Sequence, residues 1–174
     1  KINSELIGNL GNLVNRALGF AKKSFDGKIP TPEIFDNHDK EAEEKIKKLS
    51  SEVGNLMEQN HLDRAVKKIL EFTAYFNQYF QHKEPWKNGS STKTTVYLST
   101  NAIASLAIVL YPFLPASAEQ IWSQLAMNNQ ISEQLWDSAS DLLIKKDHKI
   151  GNVSPLFAKV EESDIQKHKK KFQS

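Results

Sequence analysis

Asn12 and Arg16 stand one helical turn apart in the stretch NSELIGNLGNLVNRALGFAKKSFDG. Residues four apart on a helix lie side by side, about 6 Å along the axis, so a planar amide and a planar guanidinium share one edge. Asn9 and Lys23 fall near the same edge, forming a row of hydrogen-bond donors that packing alone does not explain. A second candidate lies further on in HKEPWKNGSSTK, where Trp86 sits in a hydrophilic connector among Lys83, Lys87 and Lys93. An indole held by a preceding proline and surrounded by ammonium groups suits stacking on an unpaired base. Each feature also has a plain structural reading. Asn12 and Arg16 can be solvated side chains, and the indole can fold back to close one end of a helical bundle.

The elements that position these residues read as helices. Leu6, Leu10, Leu13, Ala17 and Phe20 form one apolar stripe, with Ile7 and Val14 at its margins. Ser4 suits the N-cap, Lys22 and Lys23 suit the last turn, and Gly27 suits a left-handed stop. Gly8, Gly11 and Gly19 are expected round the back with Asn15, where a neighbour approaches the backbone. After the loop KIPTPEIFDN, a second helix starts near Asp36 or Asn37 and buries Ala42, Ile46, Leu49, Val53 and Leu56. Its Glu/Lys pairs make an ordinary solvated face.

Asn60 is a plausible cap for a third helix, whose stripe is Leu62, Val66, Ile69, Thr73, Phe76 and Phe80. That helix must end by Glu84, because Pro85 disfavours the α region in the residue before it. From Thr94 to Tyr111 the chain is apolar nearly all round, the mark of a central helix. Ser117 and Gln120 resemble a capping box ahead of Ile121, Trp122 and Leu125, with Trp122 in the core. ISEQLWDSAS allows one or two further turns, HKIGNVSPLFAKV suggests an extended segment or small hairpin, and ESDIQKHKKKFQS reads as a short basic helix. The expected architecture is therefore all-α. It is an antiparallel bundle of about five main helices in one domain over residues 1–174, less regular from about residue 128.

Composition narrows the function classes. A formal net charge of +2 is too small to attract a polyanion through the whole-protein field, so nucleic-acid contact must come from local patches. The absence of cysteine excludes disulfides and thiolate zinc sites, which suits a cytoplasmic location. The five histidines show no metal-ligand spacing. Neither end reads as a targeting signal, and the apolar run from Ala102 to Ala116, interrupted by Pro112 and Pro115, is too short to span a membrane. There is no glycine-rich phosphate loop, nucleophile elbow or isolated acid pair, so no catalytic residues are assigned.

NLGNLVNRALGFAKKSFDGKIP, the connector EPWK and LYPFLPASAEQIW occur in the order seen in methionyl-tRNA synthetases. The chain resembles their helical anticodon-binding domain from Asn3 to about Trp122, and FAKVEESDIQKHKKKF is similar to the end of that domain in the archaeal and eukaryotic branch. The resemblance implies that Asn12 and Arg16 hydrogen-bond anticodon bases and that Trp86 stacks on the cytosine of a CAU anticodon. Two antiparallel crossings put the first and third helices parallel, so the exit of the third can bring Trp86 towards Arg16. Lys23, Lys87 and Lys93 are the candidate RNA-backbone contacts, together with the basic run 167–171. The implied partners are the anticodon loop of methionine tRNA and a catalytic domain of the same polypeptide, with no membrane. ATP and zinc would belong to that catalytic part, whose histidine-rich and lysine-serine signatures and zinc knuckle this chain lacks. Asn88-Gly89-Ser90-Ser91 departs from the more apolar or acidic continuation common in the family. A helical protein-interaction module of the same ancestry, which does not read RNA, is the competing expectation.

Overall fold

The computed structural model describes residues 2–157, with side chains described from Gly8 onward. Its elements are α1 (Ile2–Phe25), α2 (Asn37–Glu58), α3 (Leu62–Lys83), a 3₁₀ turn at Pro85–Lys87, α4 (Thr92–Leu110), α5 (Pro115–Gln124), and 3₁₀ turns at Ile131–Glu133 and Trp136–Ser140. The all-α expectation holds. The basic segment after residue 157, including 167–171, lies outside the described residues.

α4 is the axis of the fold, and it packs against α1, α2, α3 and α5. Every residue in it except Lys93 and Tyr97 is buried. By length and composition it would pass for a membrane span, but 89% of its apolar window is covered by the surrounding helices. A helix enclosed on all sides must find partners for its polar side chains internally, and the Ser99 and Ser105 hydroxyls have none. Thr100 donates to the Val96 carbonyl at 2.8 Å, while Asn101 donates to the Tyr97 carbonyl at 3.0 Å and the Ile144 carbonyl at 3.2 Å. Asn101 Oδ1 also accepts from the Ile144 N–H at 2.8 Å, so one buried amide ties the irregular C-terminal segment to the core.

The helix ends follow local chemistry, with four departures from expectation. α1 already includes Ser4, so that residue does not cap it. At its other end Asp26 and Gly27 both take positive φ, and the Gly27 N–H closes on the Ala21 carbonyl at 3.1 Å, satisfying an orphan carbonyl as predicted. α2 begins with a reciprocal box in which the Asp36 and Asp39 side chains each accept from the other's backbone N–H. Asn60 does not cap α3. It adopts φ 60° and closes α2 instead, a role that asparagine tolerates better than most residues. Leu62, placed on the buried stripe, is 54% exposed because it opens the first turn of α3. The Ser117–Gln120 box is also absent. Pro115 takes the first helical position of α5, where its missing N–H costs nothing, and Gln120 donates instead to the Pro155 carbonyl.

After α5 the chain wraps back over the bundle. Trp136 donates its indole N–H to the Ser50 carbonyl at 2.9 Å, and a Cβ at Gly54 would sit 2.9 Å from that nitrogen, so α2 needs glycine there. The extended segment predicted near residue 150 does not form its own hairpin. It pairs with the loop leaving α1 through a single antiparallel bridge, Lys28 with Lys149. Trp122 is buried as expected, and its N–H donates to the Asn129 carbonyl.

Replacing Asn101 with alanine leaves both backbone groups of Ile144 unpaired in the interior. We expect a loss of about 1–3 kcal/mol in denaturant melts of the variant.

Candidate nucleic-acid interface

The site is built on the parallel alignment of α1 and α3. Asn12 pairs with Asn77 and Arg16 with Gln81, both at a sequence separation of 65, so the two helices run in the same direction in matched register. Asn77 Nδ2 donates to the Asn9 carbonyl at 2.9 Å and the Thr73 carbonyl at 3.2 Å, which turns its Oδ1 towards Asn12. Asn12 therefore offers Nδ2 to that oxygen at 2.8 Å and keeps its own carbonyl oxygen as an acceptor. On the next rung Arg16 Nη2 donates to Gln81 Oε1 at 2.6 Å. A guanidinium carries five N–H donors, so this bond occupies only part of its capacity.

The third group arrives from the end of α3. Glu84 adopts φ 43° and turns the chain, Pro85 is buried, and Trp86 comes next in the 3₁₀ turn. Its ring centroid lies 6.3 Å from that of Phe80, while the Arg16 guanidinium carbon lies 5.5 Å from the Phe80 centroid and 5.8 Å from the Trp86 centroid. Contacts of this kind are favourable because the ring faces are electron-rich. Phe20 meets Phe80 edge-on at 6.1 Å and backs the cluster from α1. Trp86 remains 42% exposed. The other two indoles are fastened by their N–H groups to the Asn129 and Ser50 carbonyls.

Asn12, Arg16 and Trp86 thus form one patch, as their spacing and the helix order anticipate. The lysines are placed differently. Lys23 is exposed on the α1 face that carries Asn12 and Arg16, within about 20° of each at ~100° per residue. Lys87 pairs with Glu84 at 2.7 Å, and Lys93 pairs with Glu33 on the loop before α2. A phosphate reaching either of these two would have to compete with a carboxylate. The glycines also differ from expectation. A Cβ at Gly11 would lie 3.3 Å from the Phe157 ring, but one at Gly8 or Gly19 would meet nothing within 4 Å. Helical geometry puts those two within about 40° of Asn12, beside the patch and not behind it.

Asn77 and Gln81 were missed by the sequence reading. Their signal was present as an N-x-x-x-Q spacing on the third helix, matching the N-x-x-x-R of the first. Only the register between the helices shows that the two spacings meet.

An ionic cluster stands behind the turn that carries Trp86. Lys83 Nζ lies 2.7 Å from Asp36 Oδ2 and 2.9 Å from Asp39 Oδ1, with its own side chain 3% exposed and that of Asp39 fully buried. Burial works to raise the Asp36 carboxyl. The hydrogen bond from Lys83, the backbone N–H groups of Asp39 and His38, and the Lys83 charge outweigh it and hold the group at about 2. Burial and the bond to Asp39 push the Tyr79 hydroxyl far above its ordinary range, so it stays a donor, 2.6 Å from Asp39 Oδ1.

A model for the anticodon-binding domain of tRNA ligases matches residues 39–171. The chain belongs to this family. Among curated relatives of this anticodon-binding domain, the methionine–tRNA ligase of Pyrococcus abyssi is 37% identical over 95% of the chain. That of Sulfolobus acidocaldarius is 35% identical over 97%. The chain spans 23% and 30% of those two proteins, respectively. Mycobacterium tuberculosis methionyl-tRNA synthetase bound by methionyl-adenylate superposes with a TM-score of 0.80 at 24% identity, covering 90% of this chain and 32% of that one. The likeness identifies the same fold.

The depressed Asp36 carboxyl gives a signed pH dependence. Its folded value of about 2 lies below the ordinary 3.8, so its contribution is full above about pH 4 and is lost as pH falls towards 2. Acid titration of stability in Asp36→Asn should lack that component, and the variant should be less stable than the parent at pH 5.

Proposed function

We propose that this domain reads the CAU anticodon loop of methionine tRNA as the non-catalytic part of an ATP-dependent methionine–tRNA ligase. Family membership supports tRNA binding, and relatives named methionine–tRNA ligase over nearly the whole chain support the methionine assignment. The catalytic chemistry, with its ATP and zinc, then belongs to a part of the polypeptide outside this domain. A cytoplasmic location accords with that role.

The observation that carries the reading is the Arg16 guanidinium lying 5.8 Å from a half-exposed Trp86 ring, one turn from an oriented Asn12 amide. Single-stranded loops are recognised by splaying bases out, stacking them on aromatic faces and pairing their exposed edges. A cytosine edge carries an amino donor beside ring acceptors, and the patch offers an amide acceptor beside guanidinium donors. Trp86 supplies the face and Asn12 with Arg16 the edge. Exposed Lys23 continues the patch along α1 towards a phosphate, with Lys87 and Lys93 as further backbone contacts once exchanged from their carboxylates.

Titration of a CAU stem-loop and loop variants against three substitutions tests this reading. Trp86→Ala should weaken binding by about 1–3 kcal/mol for all loops alike, because stacking is tolerant of sequence. Arg16→Ala and Asn12→Ala should lose a similar amount on CAU and less on other loops, narrowing discrimination. Thermal melts should move little for all three. Undiminished CAU selectivity in Arg16→Ala, with a large fall in the melting temperature of Trp86→Ala, would favour the protein-interaction module instead.

A further inference from the structure

We propose that Lys83 is a positioning residue for the Trp86 indole, its ammonium locking the last turn of α3 and so setting the direction in which the Glu84–Pro85 elbow delivers the ring. This deepens the RNA-reading proposal, and its binding arm rests on that proposal.

A lysine in the last helical turn normally extends into water, where it already complements the helix dipole. Lys83 does the opposite. Its ammonium lies at 2.7 Å from Asp36 Oδ2 and at 2.9 and 3.0 Å from the two Asp39 oxygens, with the side chain 3% exposed. Burying an ammonium group is unfavourable unless its partners are close and well directed. Here the partners are held before the lysine arrives, because Asp36 and Asp39 accept from each other's backbone N–H groups and Tyr79 donates to Asp39 at 2.6 Å. The start of α2 is therefore a rigid socket for the end of α3.

The turn immediately after Lys83 needs such an anchor. Glu84 takes φ 43° and Asn88 φ 51°, so Pro85–Lys87 lies between two left-handed residues that are not glycine. Asparagine tolerates that conformation, but in a glutamate it persists only where the surroundings determine it. Downstream, Thr92 Oγ1 donates to the Pro85 carbonyl at 3.2 Å. Upstream, the first fixed side chain is Lys83. Trp86 projects between these two anchors, touching Phe80 and Arg16 while remaining half-exposed. A change in the direction of the last α3 turn would carry the indole away from Arg16.

The test uses the 174-residue chain, the indole N–H signals in a nitrogen–proton NMR spectrum, and a CAU stem-loop RNA. The Trp86 signal is assigned by its loss in Trp86→Ala. Lys83→Met removes the charge, and Lys83→Met with Asp39→Asn removes the stranded carboxylate as well, protecting folding. In whichever variant folds, the Trp86 signal should shift or broaden while those of Trp122 and Trp136 stay in place. Affinity should fall about tenfold for CAU and variant loops alike. In a Trp86→Ala background the same substitution should cause no further loss, since a residue acting through the indole has nothing left to position.

An unmoved Trp86 signal, or losses that multiply in the combined variant, would overturn the proposal. So would failure of both Lys83 variants to fold, which would make the cluster a structural clamp alone. If Trp86→Ala binds CAU normally, the stacking reading falls instead, and the indole signal by itself decides whether Lys83 positions the ring.

Discussion

The parallel register of α1 against α3 is the constraint on which the candidate interface depends. Two exposed side-chain bonds at the same sequence separation mark it, Asn12 to Asn77 and Arg16 to Gln81. The two bonds could not form together if the helices were antiparallel, nor if they were displaced by a turn, because at least one pair would be about 5 Å or more out of step. α4 makes the register possible by filling the space beneath both helices with small and β-branched side chains, leaving their polar edges at the surface. The candidate interface is thus a by-product of how two amphipathic helices settle on a common core.

Buried and half-buried polar groups act in this fold as fasteners between distant segments. Asn101 holds Ile144, Lys83 holds Asp36 and Asp39, and Asn77 holds both Asn9 and Asn12. Such groups add little net stability when fully paired, yet are costly when half-paired, so they select one arrangement over close alternatives. The surface obeys another rule. The Glu/Lys pairs along α2 are exposed and exchangeable, and the Lys87–Glu84 and Lys93–Glu33 pairs beside Trp86 are of that kind. The patch therefore combines a fixed aromatic and amide floor with ammonium groups able to change partners.

Amino-acid order was enough to specify the helices, their succession and the three residues of the patch. Helical periodicity arises from the need to hide one face of each segment, and prolines and glycines mark ends through purely local backbone chemistry. That is why Gly27 and Glu84 stop their helices where expected. Local rules failed where two of them competed. Asn60 can cap a helix or adopt a left-handed turn, and closing α2 prevailed; a serine box at α5 yielded to Pro115. Which polar groups meet was settled only by the packing of helix on helix. Asn77 and Gln81 look like any solvated amides until the register of α3 against α1 is set, and Lys83 looks like an ordinary terminal lysine until α2 presents two carboxylates to it. Contacts between segments tens of residues apart arise from the seating of whole helices on α4, and no pattern within one segment encodes the offset at which two of them come to rest.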